Sequence, residues 1–142
     1  MKITAPLLAA GVVALAGCAA PHKDMGMMSR AQCTTSPCKL TVKVTGTDCQ
    51  RVTIKTTPNI LDIPAGNRND IEWSLDAPAN WKFTNKGVEF KSGSGGGFTG
   101  GGGGGTTYRW RNNNSVKGEH RYNVNVTDGR AVCTEDPTIV NH

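Results

Sequence analysis

The sequence lacks an apolar run long enough to cross a bilayer as a helix. Its longest one, residues 5–16, has about a dozen residues, whereas a spanning helix needs roughly 20. No segment shows a helical period of useful length. We therefore expect neither a helical membrane protein nor a fold built from helices.

Groups that carry enzymatic chemistry are also scarce. The chain contains three histidines, of which only His120 lies inside the region of regular sequence pattern. No serine stands in the context of a nucleophile elbow, and no two acidic residues form an evident acid and base pair. Alternation places His120 on the face of Tyr122, where a hydrogen-bonded structural imidazole is expected. The sequence thus predicts a protein that is not an enzyme.

The chain has no dense run of one charge. Lysine and arginine number 16 against 11 aspartates and glutamates, for a formal net charge of +5. This modest excess permits contact with anionic partners but lacks the basic stripe of a nucleic-acid-binding protein. No nucleic acid partner is expected.

Glycine is abundant, yet its pattern excludes the nucleotide-binding motifs. Residues 93–105 contain ten glycines in 13 residues. Residues 95–100 match G-x-G-x-x-G without the βαβ unit that this motif requires, and Gly105 precedes Thr106 rather than a P-loop lysine. We predict a mobile, disordered Gly-rich loop between two strands. Phe98 is expected to pin this loop to the domain, and the alternative is an apolar plug for a partner.

The N-terminus carries an export signal. Lys2 supplies a short positive region, the apolar residues 5–16 follow, and two small residues precede a cysteine. The segment Leu15-Ala16-Gly17-Cys18 resembles the lipobox of bacterial lipoproteins. This resemblance implies that residues 1–17 are a signal peptide, that Cys18 receives diacylglycerol on its sulfur, and that fatty acids such as palmitate acylate the new amine.

Lipidation at Cys18 would hold the protein at a membrane of the cell envelope. The next residue, Ala19, differs from the aspartate that resembles an inner-membrane retention signal, so the outer membrane is expected in a Gram-negative host. The alternative is an ordinary secretory signal that happens to end near a cysteine.

Four cysteines remain after Cys18, namely Cys33, Cys38, Cys49 and Cys133. An even number in an exported chain predicts two disulfides, with three possible pairings. The favoured pairing joins Cys33 to Cys38 and Cys49 to Cys133. The alternative for the first two, a redox or metal pair, departs from the Cys-x-x-Cys spacing.

Residues 18–32 are predicted to be a flexible tether between the lipid and the domain. This segment contains His22, Met25, Met27 and Met28. Thioether and imidazole groups are ligands for Cu(I), so copper handling by the tether is an alternative function. No other metal or cofactor is expected.

Residues 33–142 are predicted to form one all-β domain. Apolar and polar residues alternate in several short segments separated by turn residues, as in Leu40 to Val44, Ile71 to Leu75 and Tyr122 to Val126. Strands of this size predict an antiparallel β-sandwich with about seven to nine strands.

The pattern resembles small immunoglobulin-like or cupredoxin-like domains of bacterial envelope proteins. The motifs that carry this resemblance are Ile71-x-Trp73, Tyr122-x-Val124-x-Val126, Asp128-Gly129 and Cys133-x-x-Asp136-Pro137-x-Ile139. Copper-binding relatives place histidine and methionine ligands around a late cysteine. Here Thr134-Glu135-Asp136 directly follows Cys133, so the resemblance does not extend to copper electron transfer.

Arginines are the best candidates for a binding surface. Arg109 and Arg111 are expected on the outer face of one strand, and Arg121 on that of the next. If these two strands form a hairpin, the three arginines make a basic patch suited to carboxylate or phosphate groups. The alternative is a solvated sheet face. The predicted function is a non-catalytic envelope lipoprotein that binds an envelope protein or an anionic glycan.

Overall fold

The computed structural model describes residues 28–142, and these residues contain eleven β-strands and no helix. No membrane-spanning helix occurs in this part of the chain. Residues 1–17, Cys18 and the tether residues His22, Met25 and Met27 lie outside the described residues. The signal peptide, the lipidation site and the copper site therefore stay predictions.

The strands are short, and turns or brief connections join them. In chain order they are β1 (Arg30–Gln32), β2 (Cys38–Thr45), β3 (Thr53–Thr57), β4 (Ile60–Ile63), β5 (Asn69–Asp76), β6 (Lys82–Phe90), β7 (Phe98–Gly104), β8 (Thr107–Asn112), β9 (Gly118–Thr127), β10 (Val132–Glu135) and β11 (Thr138–Asn141). The predicted all-β class is confirmed.

Two sheets pack face to face as a sandwich. The five-stranded sheet has the order β3-β2-β5-β8-β7, and the six-stranded sheet has the order β1-β4-β11-β9-β10 with β6 on the other edge of β9. The predicted sandwich is confirmed, with two differences in detail. It has eleven strands, and both sheets are mixed, because β2 pairs with β5 and β4 pairs with β1 and β11 in parallel.

The core follows from the alternating pattern. Every second residue of β2 is buried, beginning with Cys38, and this places its apolar residues between the sheets. Trp73 and Tyr122 are both 0% exposed, and their rings meet edge to face with centroids 5.4 Å apart. The Trp73 indole N–H donates to the Tyr122 hydroxyl at 3.2 Å, so this buried polar pair is satisfied.

Both favoured disulfides are present in the structure, Cys33–Cys38 and Cys49–Cys133. The first closes the connection from β1 to β2, and the second links the β2–β3 connection to β10 in the other sheet. Cys33 and Cys38 are 4% and 3% exposed. Burial this deep favours a structural disulfide over the alternative of a redox pair, because a redox pair needs access to its substrate.

The tether ends earlier than the sequence predicts. The carbonyl of Ser29 accepts hydrogen bonds from the N–H groups of Asn59 and Ile60 at 3.0 and 3.1 Å. Residues Arg30–Gln32 then add to β4 as a parallel strand. The predicted tether boundary at residue 32 is wrong because β1 lacks the apolar alternation by which a strand is recognised.

The glycine segment also differs from the prediction of a mobile loop. Residues Phe98–Gly104 form strand β7, which pairs with β8 at the edge of the five-stranded sheet. Phe98 is 7% exposed and contacts Phe90, with ring centroids 4.2 Å apart. The expectation that Phe98 pins this segment to the domain is confirmed.

Candidate functional site

The structure separates the three arginines of the predicted basic patch. The strands that carry them do not form a hairpin, because β8 lies between β5 and β7 while β9 belongs to the other sheet. Arg109 and Arg111 share the outer face of the five-stranded sheet, whereas Arg121 lies on β9 opposite Thr138. The three-arginine patch is therefore wrong.

Arg109 and Arg111 are each paired with an acidic residue on β5. The register sets Glu72 opposite Arg109 and Asp70 opposite Arg111. The Arg109 guanidinium contacts the Glu72 carboxylate, and Arg111 Nε donates to Asp70 Oδ1 at 3.0 Å. Both arginine side chains remain 65% exposed. Each carboxylate thus orients one guanidinium without covering it.

A polar depression of about 300 Å³ adjoins the Asp70–Arg111 pair. Its other lining residues are Ser36, Arg68 and Asn113. Ser36 belongs to the short disulfide loop, and its hydroxyl accepts a hydrogen bond from the Asp70 N–H at 3.3 Å. The disulfide therefore fixes one wall of the depression.

A second depression of about 390 Å³ lies on the other side of the same ion pair. It shares Asp70 and Arg111 with the first and is otherwise lined by Thr99, Gly100, Arg109 and Trp110. The two depressions together are called the arginine groove below. The Trp110 ring is partly buried, and its Nε1 donates to the carbonyl of Val88 at 3.0 Å, which holds the indole in place.

Strand β7 borders the arginine groove, and its glycines fall into two groups. A Cβ added at Gly101 would lie 2.1 Å from the Trp110 ring, and one at Gly103 would lie 2.5 Å from the Thr107 carbonyl oxygen. These two glycines are required by packing. A Cβ at Gly102 or Gly104 would meet nothing within 4 Å, and neither residue has a positive φ. The fold itself thus does not require glycine at 102 and 104.

His120 is a structural residue in this fold. It is 2% exposed, and its Nδ1 accepts a hydrogen bond from the N–H of Gly95 at 3.1 Å. That bond assigns the proton to Nε2, which lies 3.0 Å from the carbonyl oxygen of Val116. With both nitrogens engaged inside the protein, the imidazole anchors two connections, in agreement with the sequence analysis.

Metal ligands do not gather within residues 28–142, where no three His, Cys, Asp or Glu side chains are placed to hold an ion. Of the four tether ligands proposed from the sequence, only Met28 lies in the described part, and it is 75% exposed. Copper binding by the tether stays a prediction.

Sequence reasoning missed Arg68, Ser36, Asp70 and Asn113 as groove residues. One signal was available: Asp70 and Glu72 alternate on β5 just as Arg109 and Arg111 alternate on β8. Two strands with complementary alternating charges are good candidates for antiparallel neighbours. Arg68 and Asn113 stand just outside strands, where no period marks them.

No model of a known protein family matches this chain, and no curated protein matches it.

Proposed function

We propose that this chain is a non-catalytic binding module of the cell envelope, anchored through lipid on Cys18, that binds a carboxylate-bearing ligand in the arginine groove. One observation carries the proposal. Asp70 holds Arg111 by its Nε atom, and the terminal nitrogens of the same guanidinium are available at a depression that Arg68 also lines.

Two guanidinium groups beside one depression are suited to an anionic group. The planar fork of arginine donates two parallel hydrogen bonds to a carboxylate. Among residues 28–142, no side-chain hydrogen bond or ion pair engages Arg68, so its charge is available to a ligand. Ser36 and Asn113 add neutral polar groups that can bind hydroxyls of the same ligand.

The envelope location rests on separate support. The lipobox resemblance at Cys18 predicts export and anchoring, and the two disulfides are typical of a compartment that permits oxidation. Outer-membrane sorting is part of the same proposal, because Ala19 follows Cys18.

The proposal is tested by titrating the mature chain with the monosaccharide galacturonate and following backbone amide shifts by NMR. We expect shifts around the groove, and we expect Arg111→Gln to weaken binding by about tenfold or more because a charged, two-pronged contact is lost. Arg111→Lys should also bind less tightly, since an ammonium group keeps the charge but not the fork.

Arg121→Gln is the matched control, because it removes the same charge from an exposed position on the other sheet. It should leave the affinity for galacturonate within about twofold of the original, as expected for a charge that is distant and screened by salt. The proposal would be contradicted if the Arg111 and Arg121 variants lost equal affinity for galacturonate, or if the original chain did not bind it.

A further inference from the structure

Gly102 and Gly104 form a smooth surface beside the arginine groove. Opposite residues of paired strands share a face, and Gly102 stands opposite Arg109 while Gly104 stands opposite Thr107. Both glycines therefore lie on the outer face of the sheet, next to exposed guanidinium groups. Glycine inside a strand is unfavourable to stability and often marks a bulge or the close approach of a ligand; β7 has a bulge between Thr99 and Gly102, whereas Gly104 lies beyond it in regular register.

We infer that the ligand of the arginine groove is an acidic oligosaccharide that continues from the groove over Gly102 and Gly104. This inference rests on the proposed function and extends it, because it names the ligand class and adds a second contact surface. Thr99 to Gly104 run beside Arg111 to Thr107 of β8, which are four strand steps or roughly 13 Å, and this length gives room for more than one sugar unit.

The charges of the groove favour a sparsely charged ligand over a dense polyanion. Asp70 and Glu72 stand among Arg68, Arg109 and Arg111, so the acidic side chains offset most of the positive charge on this face. A polyphosphate or a nucleic acid would place negative charge against both carboxylates. A glycan with one carboxylate per sugar unit can instead place its own carboxylates against the arginines. Its hydroxyls can then donate hydrogen bonds to the carboxylates of Asp70 and Glu72.

The remaining lining is also suited to sugars. Thr99, Ser36 and Asn113 supply polar groups that both donate and accept hydrogen bonds. Neither depression is lined by a set of aliphatic side chains, which an extended peptide would use to place its own apolar residues. The observations therefore favour a glycan over a peptide.

The test uses Gly102→Leu, because the added side chain enters open space and projects over the glycine surface. Thr53→Leu is the matched control, since it adds the same side chain at an exposed position on β3, the opposite edge of the same sheet. The mature chain and both variants are titrated with monomeric galacturonate, with a galacturonate hexamer and with polyphosphate. Urea denaturation verifies that each variant is folded.

We expect the hexamer to bind the original chain more tightly than the monomer. Gly102→Leu should weaken hexamer binding by about tenfold or more and leave monomer binding within about twofold. Thr53→Leu should change neither the hexamer affinity nor the monomer affinity. An unchanged hexamer affinity in Gly102→Leu overturns the inference, and so does polyphosphate that binds more tightly than the hexamer. If Arg111→Gln still weakens monomer binding in those cases, the proposed function stands and only the glycan inference fails.

Discussion

At the scale of single residues, Asp62 joins three separate parts of the chain. Asp62 lies on β4. Its carboxylate accepts hydrogen bonds from Arg30 Nε at 2.5 Å and from Arg30 Nη2 at 2.7 Å. The same carboxylate lies 2.7 Å from His142 Nε2. The hydrogen bond from the Arg30 guanidinium, together with that from His142, lowers the pKa of Asp62 in the folded protein. The same contacts attach β1 to the body of the domain.

The lowered pKa of Asp62 predicts a specific pH dependence. Its stabilising contribution is present above the carboxyl pKa of an unfolded chain, about 3.9, and is lost as the pH falls through the lower folded value. Asp62→Asn should therefore be less stable than the original chain at neutral pH, and the difference should shrink toward about pH 3. Urea denaturation midpoints across this range measure it.

Asp76→Asn provides the comparison for this prediction, because Asp76 is exposed at the end of β5. That variant should lower the free energy of unfolding at neutral pH by much less than Asp62→Asn does. If Asp62→Asn lowers the free energy of unfolding by the same amount down to about pH 3, packing rather than ionisation explains the effect.

At the scale of elements, β7 shows how neighbouring glycines in one strand have opposite roles. Gly101→Ala places a Cβ 2.1 Å from the Trp110 ring, so it should lower the free energy of unfolding by about 1–3 kcal/mol through overpacking. Gly102→Ala meets no atom within 4 Å, so it should raise that free energy by about 0.4–1 kcal/mol by restricting the unfolded chain. Equilibrium denaturation of both variants measures the difference, and equal effects in the two would show that β7 does not pack on Trp110.

The elements that the sequence predicted are those with an alternating side-chain pattern. The alternation of β2, β5 and β9 identified their buried faces, because a side chain must point either into the core or away from it. Strand β7 has almost no side chains, so no alternation could mark it. Its position depends on the rings of Tyr108 and Trp110, which only the folded structure brings to it.

Strand partners were harder to predict than strands. The sequence suggested a hairpin of β8 and β9, since consecutive strands often pair. In the structure, β9 pairs with β6 through Val126 and Phe83, and β8 pairs with β5. Local alternation does not encode such long-range partners. The predicted binding site failed for this reason, while its two arginines on β8 remained on one surface.

At the scale of the whole molecule, the two disulfides differ in how much chain they close. Cys33–Cys38 spans 5 residues in sequence, whereas Cys49–Cys133 spans 84 and connects the two sheets. In the chain-entropy account, the larger loop restricts the unfolded chain more strongly. The long-range disulfide is therefore the main covalent constraint on the sandwich.

Replacing Cys49 and Cys133 with serine should lower the free energy of unfolding by roughly 4.5 kcal/mol in this account, and replacing Cys33 and Cys38 by only about 2 kcal/mol. Urea denaturation of the two double variants tests the ranking. A larger loss from the Cys33–Cys38 variant would instead show that the short disulfide matters mainly through the loop it shapes, which carries Ser36 into the arginine groove.

The proposed lipid anchor at Cys18 would set where the whole module can act. The chain from Cys18 to the start of β1 at Arg30 has a reach of at most roughly 40 Å even when fully extended. A domain held by lipid at Cys18 therefore stays close to the membrane, and a glycan ligand would have to belong to the envelope itself.

The proposed anchoring predicts that Cys18→Ala abolishes incorporation of labelled palmitate and leaves residues 1–17 attached, because cleavage in proteins with a lipobox follows lipidation of the cysteine. Ala20→Ser is the control, since it changes a neighbouring residue and keeps Cys18. Labelling in cells and the mass of the intact protein measure both outcomes.

Cleavage of the Cys18→Ala chain after residue 17 would identify an ordinary secretory signal and release the domain from the membrane. Galacturonate binding by the purified domain should then be unchanged, because every residue of the arginine groove lies between Ser36 and Asn113.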